Sequence, residues 1–423
     1  MIKVAVLVTL YRAADAGGHV KVWERFARAA EPYGDRVDLT VYFMGPREET
    51  FPRADHVRFR HLPPRFGTDR IPFLGQGAGH TDLASRHDQL AKELVAYDLV
   101  VSTDIFSFGR TAERVCQEHG IPLIHSMHTD VVYFTRVYSV DILKSALGRR
   151  FGTMAAEKFD LGNRFAKGVE KRLAAHLQIA NQVMVSRSED QDTVRSIVPD
   201  QKVTVLRRGV ERALFTPDKR DRAALQERFG IPENRPVILF AGRVDASKGA
   251  MTAVQAVRHL LDQGRDVHMI LAGKGDDMDL AKDCLGGRLT APGMVPQEDL
   301  AVLYASSDIF VFPSESETFG NVVLEARSSG LPVVVSGNPG GCSRFVAPDR
   351  TDGMVVTARD PQGWAHAIAD LLEMDYPEMG RLARSRLEGE RCGWRDVFDE
   401  DLLTVWEACV ADYRRDPVGG SHP

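Results

Sequence analysis

Short apolar runs alternate with segments of helical periodicity along most of this chain. The first run, Ile2–Leu10, predicts a buried strand, and Gly17-Gly18 separates it from the helical spacing of His19–Glu31. The predicted strands are runs of Val, Ile and Leu rather than alternating patterns, which indicates sheets covered on both faces. Repeated alternation of strands and helices predicts an α/β fold with doubly wound parallel sheets.

The predicted elements form two series, which indicates two Rossmann-like domains. The first series continues with helices over 82–97 and 111–119 and with strands at Val37–Met44, Val57–Leu62, Asp98–Ser102, Pro122–His125 and Gln182–Val185. The second series has strands at Pro236–Ala241, Val267–Ala272, Arg288–Ala291, Asp308–Phe312 and Pro332–Ser336. We predict domains over 1–216 and 217–395, then a helix within 396–423 that crosses back to the first domain and ends in a tail.

Composition narrows the class of protein. The 423 residues are 43% hydrophobic and 27% charged, which is typical of a globular enzyme and excludes collagen-like and disordered chains. The net charge of −5 argues against a nucleic-acid partner, because phosphate neutralisation needs a basic excess. The five cysteines have no C-x-x-C spacing, which fits a reducing cytoplasm, and no apolar run is long enough to span a membrane.

A cationic turn follows the strand that opens the second series. Gly242 allows a ligand to approach the backbone, and Arg243 and Lys248 can both reach one anion at the carboxyl end of the strand. The helix that begins after Gly249 adds free N–H groups for the same anion. This context favours a phosphate site over two solvated surface cations.

Two carboxylates follow a later strand of the same series. Glu317 and Glu325 serve one ligand best if Glu317 lies in the loop and Glu325 in the helix after it, with Thr318 as a candidate helix cap. Carboxylates accept hydrogen bonds from sugar and ribose hydroxyls, so beside a phosphate site they suit a nucleotide sugar. The alternative is a pair of exposed acids at a helix start.

Taken in order, these motifs resemble the donor half of the retaining GT-B glycosyltransferases of family 4. The motifs are Gly242-Arg243, Lys248-Gly249, Gly273-Lys274-Gly275, Gly293-Met294-Val295 and the Glu317/Glu325 pair. Arg208–Pro217 resembles the segment that joins the two domains of that family. The resemblance covers most of the chain and is strongest over 203–325. It implies two Rossmann-like domains that face across a cleft, with the acceptor bound by the first and the donor by the second.

The resemblance also implies a role for individual residues. Arg243 and Lys248 would hold the donor diphosphate, and Glu325 the ribose. The transferred sugar would be held by Glu317 with Phe319, Gly320 and Asn321, and the base would be bordered by Gly273, Met294 and Val295. Gly17 and Gly18 would admit the diphosphate, and His128 would lie near the sugar and the acceptor. The chain departs from the family after Gly340-Gly341, where an acidic residue is common but Cys342-Ser343-Arg344 follow, and at Glu211, where Asp is common.

Metal ions are not expected in this site. His125 and His128 are an odd number of residues apart, so on a strand they face opposite ways, which argues against a shared metal. Asp277-Met278-Asp279 resembles a metal clamp but is expected to open a helix. The resemblance implies no metal and no cofactor beyond a nucleoside diphosphate sugar as co-substrate, because Arg and Lys do the electrostatic work.

Residues 141–172 form a basic segment in a chain that is acidic overall. The segment holds eight Lys and Arg residues against four Asp and Glu, with Phe151, Phe159 and Phe165 among them. An amphipathic basic helix suits an anionic membrane surface. A solvated helix face and recognition of a soluble anionic acceptor are the alternatives.

These observations lead to one preferred function and two alternatives. We predict a retaining glycosyltransferase that moves a hexose from a nucleoside diphosphate sugar to a hydroxyl of a glycan, a lipid or a small molecule. The alternatives are a sugar-phosphate synthase or phosphorylase on the same fold, and a catalytically silent protein that binds nucleotide sugars. The expected location is the cytoplasm, with peripheral contact at the inner face of a membrane left open.

Overall fold

The computed structural model divides the chain into two compact units. It describes residues 1–13, 16–68, 81–128, 132, 161–186, 188–315, 317, 320–338 and 340–415. The first unit comprises Met1–Arg207 together with Trp394–Pro423, and the second comprises Arg208–Gly393. Each unit is built on one sheet.

The sheet of the first unit has eight strands in the order β3-β4-β2-β1-β5-β6-β7-β8. The strands are β1 Ile2–Tyr11, β2 Val37–Met44, β3 Glu49–Ala54, β4 Val57–Leu62, β5 Leu99–Ser102, β6 Leu123–Ser126, β7 Gln182–Val185 and β8 Val203–Val205. All neighbours pair in parallel except β3, which pairs antiparallel with β4. Strands β3 and β8 were not predicted, because short, partly exposed edge strands lack a long apolar run.

Within the described residues of Met1–Arg207, five α-helices accompany this sheet. They are α1 Gly18–Ala30, α2 Asp88–Leu94, α3 Ser107–His119, α4 Leu161–Ile179 and α5 Ser188–Arg195. The prediction of a helix over 82–97 was wrong at its start. Asp82 accepts hydrogen bonds from the backbone N–H groups of Arg65, Phe66 and Ala84, so it organises a turn, and α2 begins only after His87, whose ring caps Leu90 N.

The sheet of the second unit has six parallel strands in the order β11-β10-β9-β12-β13-β14. The strands are β9 Val237–Ala241, β10 His268–Ala272, β11 Leu289–Gly293, β12 Ile309–Phe312, β13 Val333–Ser336 and β14 Gly353–Val356. The chain moves outwards from β9 through β10 and β11, then returns to β12 on the other side of β9. The strand order therefore reverses between β9 and β12, the position at which such sheets bind ligands beyond their carboxyl ends.

Seven α-helices accompany the second sheet among the described residues of this unit. They are α6 Arg222–Phe229, α7 Ala250–Asp262, α8 Met278–Leu285, α9 Gln297–Ser306, α10 Asn321–Ser328, α11 Pro361–Glu373 and α12 Tyr376–Gly389. The central strands β9 and β12 are fully buried. The unit begins at Arg208, before the predicted seam at 217. The reason is that Val210 N donates to Cys392 O at 2.8 Å and Phe215 lies in the core of this unit.

The C-terminal segment packs in the core of the first unit. It runs through α13 Trp394–Val397, a π-helical turn Phe398–Leu403 and α14 Thr404–Arg415. Phe26 of α1 meets the ring of Trp394 edge-on at 5.1 Å, and Trp406 lies in the same apolar cluster. Ion pairs add to this packing, with Arg36 bound to Asp399 and Glu407 at 2.6 Å each. The predicted tail from Pro417 lies outside the described residues.

No helix among the described residues is both long enough and apolar enough to cross a membrane.

Burial of one aromatic face by the C-terminal segment gives a stability prediction. Phe26 is fully buried, so Phe26→Ala should destabilise the first unit by about 3–5 kcal/mol. Phe165→Ala is the matched control, because the Phe165 side chain is 55% exposed and should change the unfolding temperature little. Differential scanning calorimetry compares the two variants. An equal effect of both would contradict the packing described for α1 and α13.

Candidate active site

Glycine loops after β9, β10 and β11 fit closely against one another. Gly242 N donates to Ala272 O at 3.0 Å, and Gly273 N donates to Gly293 O at 2.9 Å. Gly273 has a φ of +150°, and a Cβ on it would overlap the carbonyl oxygen of Gly242. Gly242 and Gly273 therefore need to be glycine. Their close packing fixes the path of the loop that carries Arg243 and Lys248.

A 3₁₀ turn over Ala246–Lys248 presents the lysine of this loop. Asp245 caps the turn and accepts from Lys248 N at 3.2 Å. Ser314 follows β12 and is fully buried, and its Oγ atom donates to Ser247 O at 3.3 Å. This hydrogen bond connects the turn after β9 to the loop after β12. The two segments lie on either side of the point where the strand order reverses.

Lys248 and Glu317 form an ion pair across that point. Lys248 Nζ lies 2.6 Å from Glu317 Oε2, and the two side chains are only 17% and 12% exposed. Glu317 Oε1 accepts from Gly320 N at 2.9 Å, and Glu317 N donates to Gly340 O at 2.8 Å. The carboxylate thus contacts a cation and the backbone that starts α10, while the backbone N–H of Glu317 binds the loop after β13. Thr318, the suggested cap of α10, lies outside the described residues.

The other residues predicted to bind the donor have environments that differ from that of the Lys248–Glu317 pair. Arg243 is 67% exposed and pairs with Asp245 at 3.0 Å rather than with Glu317. Glu325 lies inside α10 and is 5% exposed, whereas Met294 is 62% exposed. Val295 packs partly against the core, and Asn321, whose Oδ1 atom is buried, opens α10. Phe319 lies outside the described residues.

In the first unit the strand order reverses between β1 and β5, and the predicted residues of this unit follow β1 and β6. Gly17 and Gly18 are exposed at the start of α1. The next residue, His19, stacks on His128, with 4.8 Å between ring centroids and 22° between ring planes. Trp23 meets the His128 ring edge-on at 5.4 Å, and Ser126 Oγ lies 2.9 Å from its Nε2 atom. These contacts hold the His128 ring in one orientation near the start of α1.

His125 belongs to a separate hydrogen-bond network. Ser102 Oγ lies 3.0 Å from His125 Nδ1 and 2.9 Å from His176 Nε2. His176 Nδ1 in turn lies 3.1 Å from a carboxylate oxygen of Glu113, whose own partner is Arg172 at 2.6 Å. Burial and the neighbouring His176 and His19 hold the pKa of His125 well below its usual range, so it is neutral at pH 7. His125 and His128 thus have different partners, and no metal-binding cluster occurs among the described residues.

The basic segment is described only from residue 161 onwards, and 141–160 lie outside the described residues. On α4 the residues Arg164, Lys167 and Lys171 are exposed, as is Phe165 between them. Arg172 points to Glu113 instead.

Sequence reasoning does not select His19, although its position directly after Gly17-Gly18 is a usable signal. It also does not predict the burial of Arg208, which is 6% exposed, because burial depends on long-range packing that no local pattern encodes.

Comparison with known proteins shows that the chain belongs to glycosyltransferase family 4. Residues 16–214 match the description "Glycosyltransferase Family 4", and residues 235–374 match "Glycosyl transferases group 1". The chain is 30% identical over 421 residues to a D-inositol 3-phosphate glycosyltransferase of Xylanimonas cellulosilytica, which covers 96% of this chain and 94% of that protein. It is 31% identical to the enzyme of that name from Paenarthrobacter aurescens, with 93% and 90% covered.

Solved structures show the same fold. A sucrose-phosphate synthase from Thermosynechococcus elongatus is 19% identical, with a TM-score of 0.72 over 97% of this chain and 100% of that chain. Anabaena Alr3699/HepE in complex with UDP and glucose is 18% identical, with a TM-score of 0.64 over 96% and 99%. The chain has the GT-B fold, as predicted.

The close fit of the glycine loops yields a prediction. Gly273→Ala places a Cβ against Gly242 O at a φ that L residues rarely adopt, so we expect a loss of about 1–3 kcal/mol from strain alone. Gly287→Ala is the matched control, because nothing lies within 4 Å of its added Cβ. Thermal unfolding of the second unit distinguishes them. A Gly273→Ala variant as stable as the control would mean that the loops are not interlocked.

Proposed function

We propose that this glycosyltransferase moves a hexose, with retention of configuration, from a nucleoside diphosphate sugar to a hydroxyl of a phosphorylated polyol. The observation that carries the proposal is the Lys248–Glu317 pair, which combines a cation, a carboxylate and the Gly320 N–H beyond the point of strand reversal. A diphosphate needs cations, and sugar hydroxyls need acceptors, so the group suits both halves of one donor. The acceptor class follows the names of the relatives.

The chemical task is to stabilise a departing diphosphate and a developing sugar cation together. The bond from the anomeric carbon to the diphosphate oxygen breaks, and its electron pair leaves with the diphosphate. The acceptor oxygen bonds to the same face of that carbon, and its proton passes to the departing diphosphate. Lys248 and Arg243 lower the energy of the transition state, because their positive charges are in place before the reaction begins.

Glu317 has two tasks in this proposal. Its Oε2 atom fixes the ammonium group of Lys248, and its Oε1 atom fixes the start of α10. A donor sugar beside this carboxylate can donate hydroxyl hydrogen bonds to it. The negative charge also favours positive charge that develops on the sugar ring in the transition state.

The first unit supplies the acceptor side of the proposal. His128 is 1% exposed, and Ser126, Trp23 and His19 hold its ring in one orientation; in this proposal it is a group near the acceptor hydroxyl. The exposed cations of α4 favour an anionic acceptor. A phosphorylated polyol fits both features.

Donor binding tests the proposal directly. Thermal unfolding is followed with a panel of UDP, GDP, ADP and TDP sugars. A ligand at a hundred times its Kd should stabilise the protein by about 2.7 kcal/mol, so the correct base should stand out. The stabilising donor is then incubated with inositol phosphate and with unphosphorylated inositol, and the anomeric configuration of the product is read by NMR. No stabilisation by any of the four would refute the donor site, and stabilisation without turnover would favour a silent binding protein.

The ion pair gives the second functional prediction. Lys248→Met and Glu317→Gln should each lower kcat/KM by about 10²–10³-fold, because each removes charge stabilisation from the transition state. Lys282→Met and Glu378→Gln are matched controls, since both residues are exposed and paired on helices away from these loops. Steady-state transfer assays compare the four variants. Near-normal transfer by the first two would show that the pair has no part in the reaction.

A further inference from the structure

The loop after β13 contacts the segment around Glu317 at two points. The first contact is polar, since Glu317 N donates to Gly340 O at 2.8 Å. The second is apolar, since the ring of Phe345 packs on Gly320, the residue that precedes α10. A Cβ added to Gly320 would lie 2.9 Å from Cζ and 3.1 Å from Cδ2 of that ring, and it would overlap Cε2. The loop therefore holds both ends of the stretch from Glu317 to Gly320.

Gly320 donates one of the hydrogen bonds that orient the Glu317 carboxylate. Its N–H donates to Glu317 Oε1 at 2.9 Å, while Oε2 of the same carboxylate lies 2.6 Å from Lys248 Nζ. Each carboxylate oxygen thus has its own partner, and the two partners together set the rotation of the carboxylate plane. Gly320 has a φ of +68°, which only glycine adopts readily. The direction of its N–H therefore depends on the contacts that keep the backbone in this conformation.

Contacts within the loop after β13 fix the Phe345 ring in place. Phe345 ends a 3₁₀ turn that begins at Ser343, and its N–H donates to Cys342 O at 3.0 Å. Cys342 is fully buried, and its own N–H donates to Ser336 O at the end of β13. The guanidinium of Arg344 lies 4.5 Å from the ring centre of Phe345. The ring is therefore anchored to the sheet through the backbone of the loop.

We propose that Phe345 is a positioning residue for the transfer reaction, which acts through Gly320 on the Glu317 carboxylate. This inference rests on the proposed function, since it takes Glu317 as a group of the donor site. The Phe345 side chain cannot exchange a proton or form an ion pair, so its contribution comes from the backbone on which the ring packs. A carboxylate stabilises a transition state most when its direction is fixed beforehand, and a displacement of about 1 Å can cost about 100-fold in rate.

A purely structural role for Phe345 is the alternative, because the ring also packs partly against the core of the second unit. Loss of core packing lowers the stability of the unit but leaves the site unchanged in the molecules that remain folded. Loss of positioning lowers kcat of the folded molecules. It changes the KM for the donor much less, because Lys248 still binds the diphosphate in the ground state.

Steady-state transfer by Phe345→Ala tests the assignment. The substrates are inositol phosphate and whichever UDP, GDP, ADP or TDP sugar stabilises the protein, at a temperature where thermal unfolding shows the variant to be folded. We expect kcat to fall about 10–100-fold, with a change in donor KM of less than about threefold. Phe345→Leu keeps an apolar side chain on Gly320 and should recover most of kcat.

Phe229→Ala is the matched control for this measurement. Phe229 is also partly buried against the core of the second unit, and the guanidinium of Arg228 lies 5.4 Å from its ring centre. The control therefore removes a ring of similar packing on α6, and its kcat should stay near that of the natural sequence. Equal kcat for Phe345→Ala and Phe229→Ala would overturn the proposal.

A double-mutant cycle with Glu317→Ala shows whether Phe345 acts through the carboxylate. Glu317→Ala removes the group to be positioned, so the further change Phe345→Ala should alter the residual single-turnover rate by less than about twofold. A loss as large in the Glu317→Ala background as in the natural sequence would overturn the proposal. If Phe345→Ala does not fold, Phe345→Val takes its place in the cycle under the same criterion.

The outcomes separate this inference from the proposed function. If Lys248→Met and Glu317→Gln leave transfer near normal, the proposed donor site is wrong and this inference falls with it. If those two variants lose activity while Phe345→Ala keeps the natural kcat, the donor site stands and only this inference is overturned.

Discussion

The ion pair between Lys248 and Glu317 is the interaction on which the candidate site of the second unit depends. It joins loops after two neighbouring strands, β9 and β12, at the point where the strand order reverses. A largely buried cation needs a partner, and a largely buried carboxylate needs donors, so each loop is stable in its position only because the other is present. The Glu317 carboxylate also accepts from Gly320 N, and the Glu317 backbone N–H donates to Gly340 O, which extends this mutual dependence to α10 and to the loop after β13. One residue thus connects the loops after β9, β12 and β13.

Glycine residues allow the loops around Glu317 to approach one another closely. Gly242, Gly273 and Gly320 have positive φ, and at Gly273 and Gly320 an added Cβ would overlap a neighbouring loop. The absence of side chains lets the loops approach one another until backbone groups form hydrogen bonds. The first unit positions its candidate site residue in a different way. Gly17 and Gly18 leave the start of α1 exposed, and aromatic contacts with His19 and Trp23 hold His128 in place.

The strands could be predicted largely from the sequence, because buried parallel strands are continuous apolar runs: Val37–Met44, Val57–Leu62 and Gln182–Val185 have the predicted bounds. The edge strands β3, β8 and β14 were missed because edge positions are partly exposed. The start of α2 was missed because one buried carboxylate, Asp82, reorganises the preceding backbone. Motif order singled out Lys248 and Glu317, whose side chains form an ion pair, but the pairing of Arg243 with Asp245 and the burial of Glu325 follow from loop geometry, which spacing alone does not specify.

Arg208 shows why a buried charge is hard to predict from the sequence. An apolar side chain at a core position would carry no electrostatic cost, whereas burial disfavours the charged guanidinium and, with the charge of Arg344, lowers the pKa of Arg208 to about 9. Glu317 opposes this shift, and the same carboxylate also binds Lys248 and Gly320 N. Conflicts between stability and sequence of this kind concentrate at functional sites.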